Sequence, residues 1–379
     1  MFADAKKRQL RAAVTLIGTV VGVGVFGLPY VFSRAGFAIG FAELIVLGVV
    51  MLLLFLMYAE ITVQTPGKQR FAGYMERYLG QPGRVIAFLV TLLSMLGALV
   101  AFTILGADFF SRLSGIPETM AALIIMLVVS LVTFGGIATV SRVAVWTVSL
   151  ILVLYAILIV VTLPAFQLVN IQPISTSPAD WFVPYGVIIF SLAGLGAIPE
   201  MHDILERKFR ELPRVVLGAY AVIVVLYGLF TLAVVGATGA ATSPDAIAGL
   251  STIIHPALST LGAVLGLISV LSIQSLMSIE LIASLQFDLK VPAGGPWLFV
   301  TIAPFLFYLF GMREFISVIG FVGSILSGSI GVLVVLAYER MKKTVGKTHK
   351  CFRLPSVISY IVLAAFVFGM ITEIVYTRL

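Results

Sequence analysis

The sequence predicts an all-α polytopic protein that crosses a lipid bilayer about eleven times, on three observations. Of its 379 residues, 60% are hydrophobic and 11% charged, with a mean hydropathy of +1.15, a balance no water-soluble domain presents to solvent. The apolar residues fall in stretches of roughly 20, the length a helix needs to span the hydrocarbon core. The lysines and arginines alternate from loop to loop, as membrane topology requires.

In order, the stretches run from Leu10 to Ala35, Ala38 to Val63, Arg84 to Ser111, Met120 to Gly136, Val143 to Leu163 and Phe182 to Leu205. They continue from Val215 to Gly236, Pro256 to Phe287, Trp297 to Gly311, Phe315 to Tyr338 and Pro355 to Thr377. No room is left for a soluble domain, so residues 1–379 read as one transmembrane unit. With the N-terminus cytoplasmic, all of the 24 lysines and arginines lie in inner segments except Arg34, Arg112, Arg313 and Arg378. An odd number of spans then puts the C-terminus outside an inner, cell-type membrane. The net charge of +7 reflects this bias and not a nucleic-acid surface.

Several classes are excluded. Gly22, Gly24, Gly27 and Pro29 interrupt the first stretch and no small-residue cleavage site follows, so it reads as a retained helix. The period-two alternation of a membrane barrel is absent. The single cysteine, Cys351, forms no internal disulfide and gives no metal spacing. Without a nucleotide-binding motif, catalytic triad or metal-ligand cluster, neither an enzyme nor a cofactor is expected, and an ion gradient is the remaining energy source.

The first and sixth stretches carry glycines and a proline at their centres. The first reads Gly18-Thr19-Val20-Val21-Gly22-Val23-Gly24-Val25-Phe26-Gly27-Leu28-Pro29, the sixth Phe190-Ser191-Leu192-Ala193-Gly194-Leu195-Gly196-Ala197-Ile198-Pro199-Glu200. Standing five helices apart, they predict a five-plus-five repeat, residues 10–163 and 182–338, with the second copy inverted and 355–377 an additional helix. Unwinding exposes backbone N–H and C=O groups that hydrocarbon cannot satisfy, so such a break persists where it lines a polar cavity or binds a ligand. Half-helix N-termini then face an anion and freed carbonyls a cation. A zwitterionic amino acid supplies both, its carboxylate reaching the N–H groups of Gly22, Val23 and Gly24. For either helix alone, Gly18-x-x-x-Gly22 and its like also serve as packing surfaces; the matched pair is what favours a site.

These segments resemble the amino acid, polyamine and organocation (APC) transporter superfamily, with its LeuT-type inverted repeat and broken helices 1 and 6. Besides the glycine-rich first helix, the marks are Tyr58-Ala59-Glu60-Ile61, Thr65-Pro66-Gly67 and Gly73-Tyr74-Met75-Glu76-Arg77-Tyr78-Leu79-Gly80. The Pro199-Glu200 pair, with Ala101-Phe102-Thr103-Ile104-Leu105-Gly106-Ala107-Asp108, is most similar to the amino acid/auxin permease branch. The resemblance implies that Val23 and Gly24 meet the substrate carboxylate and that main-chain carbonyls near Ile189, Phe190 and Leu192, beside Gly194, take its ammonium. It makes Phe190 an aromatic gate, and Phe102 with Ile104 the wall of the side-chain pocket.

In the sodium-coupled relatives a cation lies between the first and eighth helices. Here Gly18 and Val21 carbonyls and the hydroxyls of Ser272 and Ser275 correspond, although Leu271 stands where the usual threonine would lie, and each serine can instead bond back to its own helix. The lysine that replaces sodium in some proton-coupled relatives is absent from the fifth helix. Glu200, His202 and Glu280 remain as groups able to carry a proton. Either Na+ or H+ is therefore left open as the coupling ion. The apolar residues at the breaks, Val23, Val25, Phe26, Leu195 and Ile198, favour a neutral, hydrophobic or aromatic amino acid. The competing expectation is an amino acid sensor or channel on the same fold, without ion coupling.

Overall fold

The computed structural model describes residues 2–67, 69–134, 152–153, 155–171, 174–206, 208, 210–253, 256–292, 294–344 and 353–376. Among these, structure is helical apart from turns and one isolated β-bridge, Gly36 to Ile174. α1 (Phe2–Val20) stops at the glycine cluster; a short 3-10 segment, Val23–Gly27, leads into α2 (Leu28–Ala35), and the two halves are bent by 49°. α3 (Phe37–Gln64) returns to the face that carries the N-terminus.

The stretch expected from Arg84 begins earlier, because α4 (Phe71–Ser114) includes the preceding segment as a helical arm. Gly80, at φ 75°, turns the chain two residues before Pro82, a backbone conformation that only glycine adopts without strain. α5 (Glu118–Phe134) follows. The fifth expected stretch lies largely outside the described residues, and its remaining part is α6 (Tyr155–Ala165).

The sixth stretch is two helices, α7 (Val183–Leu192) and α8 (Ala197–Ile204), with residues 193–196 unwound between them. Then come α9 (Leu212–Thr238), α10 (Ala248–Ile253), α11 (Pro256–Leu289) and α12 (Gly294–Leu309). α13 (Phe315–Phe321) passes through a π-helical stretch, Val322–Ser327, into α14 (Gly328–Thr344), and α15 (Ser356–Tyr376) ends the fold. Among the described residues, seven helices are long and apolar enough to cross a membrane, and the bent α1–α2 pair adds an eighth. The expected eleven is reached only if the shorter α5, α6 and α12 cross as well.

Lipid tails are as apolar as leucine, so helices associate through close packing of small residues. Gly186 of α7 packs against the end of α13 and the π-helical stretch: a methyl group on Gly323 would collide with the Gly186 carbonyl, and one on Gly186 with the Gly320 carbonyl and Ser324 Oγ. Exposed Ile45, Val46 and Val49 on α3, and Val222, Val225 and Leu229 on α9, form the outward faces. The loop before α7 includes two 3-10 turns, Leu168–Ile171 and Pro178–Phe182. It straps the ends of α2 and α9: Ser175 N–H donates to the Ala35 carbonyl at 3.1 Å, and Asn170 Nδ2 to the Gly236 carbonyl at 2.8 Å.

Candidate substrate site at the paired helix breaks

The two breaks touch. A Cβ on Gly24 would lie 2.9 Å from Phe190 Cδ1 and 2.8 Å from Ser191 Oγ, and one on Gly194 would lie 2.6 Å from Val20 Cγ2. Glycine is therefore required at both positions for the unwound backbones to approach. Val21, Val23, Gly24, Ile189 and Leu192 are buried there, while Gly18, Gly22, Phe190 and Gly194 are half-buried.

Each half-helix ends in carbonyls that its own helix leaves unsatisfied. At the end of α1, the Ile17 carbonyl accepts Val21 N–H at 2.7 Å, and the Val20 carbonyl accepts the Tyr227 hydroxyl at 3.0 Å. At the end of α7, the Ser191 carbonyl accepts that same hydroxyl at 3.0 Å, and the Leu192 carbonyl accepts the Tyr220 hydroxyl at 2.9 Å. Ala193 N–H, which a continued α-helix would give to Ile189, turns to Phe190 at 3.2 Å. The Tyr155 hydroxyl donates to the Gly22 carbonyl at 3.1 Å. Among the described residues, the Gly18 and Thr19 carbonyls receive no donor.

The opposite polarity appears one turn on. Gly22 is extended and caps the Val23–Gly27 turn without a side-chain hydrogen bond. Among the described residues, Gly22 N–H reaches no backbone acceptor, and residues 21–22 form a bend that no turn hydrogen bond spans, so Val23 and Gly24 N–H lose the partners a continued helix would give them. Free donors and free carbonyls thus lie within a few residues of each other at one junction. That is the complement of a carboxylate and an ammonium held close together.

The two sides of the junction differ. Beyond it, Phe26 packs edge-on against Phe109, Tyr155 and Phe230, with ring centroids 6.1, 5.9 and 6.4 Å apart, and all four rings are fully buried. Further out, Arg112 of α4 bridges Asp108 at 2.6 Å and Asp245 at 2.7 Å, and Asp245 also accepts Ala248 N–H at the start of α10. On the side of the N-terminus, Thr19, Gly196, Glu200 and Glu280 are exposed. α1 packs chiefly on α8 and α9 there, tied at its start by Arg8 to Glu206 at 2.9 Å.

Comparison with known proteins decides the class. The profile of the family described as "Transmembrane amino acid transporter protein" matches residues 6–378. The chain belongs to that family. This transporter is 23% identical over 357 residues to "Tyrosine-specific transport system 1" of Haemophilus influenzae, covering 86% of this chain and 87% of the relative. To "Tyrosine-specific transport system 2" of the same organism it is 34% identical over 116 residues, 30% of this chain and 27% of the relative. Its fold superposes on the crystal structure of the Eremococcus coleocola manganese transporter, bound to an aromatic bis-isothiourea substituted compound. The TM-score is 0.69 at 14% identity, over 97% of this chain and 86% of that one. The chain is thus a multi-span membrane transporter and not an enzyme, in agreement with the APC resemblance.

In this transporter, Phe102 is buried on α4 beside Thr103, which accepts the Gln274 side-chain amide of α11 at 2.9 Å. The 272–275 segment of α11 borders the first break, since a Cβ on Gly22 would lie 3.9 Å from Ile273 Cδ1. Ser272 and Ser275 are both buried there, and the Ser275 hydroxyl donates back to the Leu271 carbonyl at 2.6 Å. Glu200 lies in the first turn of α8, exposed. Sequence reasoning missed Tyr155, Tyr220 and Tyr227. The signal available was their hydroxyl groups on otherwise apolar spans, because freed carbonyls in hydrocarbon need donors from neighbouring helices.

Proposed function

We propose that this chain is a secondary transporter of a neutral aromatic amino acid, tyrosine being the first candidate, working by alternating access about the paired breaks. The observation that carries the reading is the coincidence, at one junction, of N–H groups on Gly22, Val23 and Gly24 that the break releases from helical bonding with carbonyls on Gly18 and Thr19 that it leaves unserved. The carboxylate sits on the three N–H groups, and the ammonium on carbonyls of the α1 and α7 ends, with Ile189 contributing. The carbonyls of Phe190 and Leu192 already hold one donor each, so they offer only a second lone pair. Phe190 covers the ligand, Phe102 and Ile104 wall its side chain, and Gly194 keeps the second break close.

In this reading the Phe26 cluster and the Arg112 bridges close one side of the site while the side of the N-terminus is open. The charge bias of the loops makes that open side cytoplasmic and the C-terminus extracytoplasmic. The two five-helix repeats rock about the site. The driving ion is Na+, held by Gly18, Val21, Ser272 and Ser275, or H+, carried by Glu200. Melting curves of purified protein with neutral amino acids, repeated with and without sodium and at acidic pH, test this. Stabilisation by tyrosine or phenylalanine is expected; no stabilisation by any neutral amino acid under any of these conditions contradicts it.

A further inference from the structure

A second feature lies away from the breaks, at the end of α14 on the side of the N-terminus. Val335, Leu336, Glu339, Arg340 and Lys343 of α14, with Leu79 of the α4 arm and Tyr360 of α15, line a groove of about 250 Å³ whose one carboxylate is Glu339. Its walls are apolar and open to the outside: Leu336 is 42% and Tyr360 55% exposed. Its mouth carries Arg340 and Lys343, both exposed, and among the described residues no carboxylate pairs with either.

The nearby carboxylate is already committed. Glu339 pairs with Lys342 at 2.6 Å and accepts the Ser356 hydroxyl at 3.0 Å. Lys342 in turn donates to Ser356 Oγ at 2.8 Å and to the Leu354 carbonyl at 3.3 Å, and lies over the Tyr338 ring. Lys342 and Glu339 thus staple α14 to α15, and the other two cations are left facing outward over an apolar cleft.

We propose that this groove holds an anionic phospholipid, its headgroup phosphate between Arg340 and Lys343 and an acyl chain along Leu79, Val335 and Leu336. Three points carry it. The cations sit within the last two turns of a membrane-crossing helix, Lys343 in the last and Arg340 just before it, where a headgroup lies. The cleft below them is apolar and continuous with the lipid-facing surface. Among the described residues neither cation is paired with a carboxylate, and a headgroup phosphate balances them. Tyr360 is the aromatic, amphipathic side chain that favours the same depth.

Native mass spectrometry of the full chain in neutral detergent tests this, with phosphatidylglycerol and phosphatidylcholine of matched acyl chains and with soluble glycerol 3-phosphate. The expected result is retention of phosphatidylglycerol alone, weakened roughly 10- to 30-fold in Arg340→Gln/Lys343→Gln and unchanged in Arg313→Gln, on the basis of the attraction of two cations. Equal retention of phosphatidylcholine, equal binding of glycerol 3-phosphate, or undiminished phosphatidylglycerol on the double variant each overturns it. The double substitution replaces exposed side chains only, and an unchanged melting temperature in lipid-free detergent checks that it folds.

Discussion

Tyr227 is the residue on which the two breaks most visibly depend. Its hydroxyl oxygen lies 3.0 Å from both the Val20 and the Ser191 carbonyl oxygens, which share its one proton, so a single side chain of α9 ties the end of α1 to the end of α7. Tyr227→Phe keeps the ring and leaves both carbonyls without that donor. We expect a loss of about 1–3 kcal/mol, read as a lower melting temperature of the purified protein; an unchanged melt would show that the tie carries no weight. Gly24→Val is a different case, because its side chain would occupy the space now filled by Phe190 and Ser191. Overpacking of that kind costs about 1–3 kcal/mol and should abolish amino acid uptake while the protein still inserts and purifies. For the coupling ion, Ser272→Ala should raise the sodium concentration giving half-maximal uptake more than Ser275→Ala does, since the Ser275 hydroxyl already serves Leu271. Equal sodium curves for both variants and the parent would remove sodium from this position.

At the level of helices, the contact of α7 with the π-helical stretch between α13 and α14 is set by two glycines. Gly323→Ala puts a methyl group into the Gly186 carbonyl, so the segments must separate. A destabilisation on the order of 1–3 kcal/mol, seen as a lower thermal midpoint in detergent, is expected, and a neutral substitution would mean that the contact yields freely. This scale also shows what the sequence made legible. The breaks at residues 21–22 and 193–196 were readable because glycine and proline recur together at mid-span in two helices five apart, which packing alone does not require. The helical arm of α4 before Gly80 was not, since its polar residues carry no membrane-spanning signal and its path depends on one glycine at positive φ. The π-helical stretch was hidden for a related reason: Val322 to Ser327 is ordinary helix-compatible sequence, and its widened turns follow from packing on α7. At the site itself, glycine positions were legible and their tyrosine partners were not, because nothing local in α6 or α9 says which carbonyl a hydroxyl will meet.

Across the whole molecule, a buried aromatic layer lies on one side of the breaks and exposed polar residues on the other, and the proposed function takes the second side as the open one. The Arg112 bridges hold the closed side: Arg112→Gln leaves Asp245, whose side chain is 4% exposed, without its cation. We expect a cost of about 1–3 kcal/mol, discounted for the partial exposure of Arg112, and a larger share of molecules open on that side. Labelling of a cysteine placed at Phe109 in a Cys351→Ser background reads that share, and labelling of Arg112→Gln no faster than of the parent with its bridges intact would contradict the assignment. The central claim is that the paired breaks bind and carry an aromatic amino acid. Counterflow in proteoliposomes, with unlabelled tyrosine inside and labelled tyrosine outside, tests it most directly. The account predicts transient accumulation of label by the parent protein and none by Gly24→Val; no accumulation by folded parent protein with tyrosine, phenylalanine or any other neutral amino acid would contradict it.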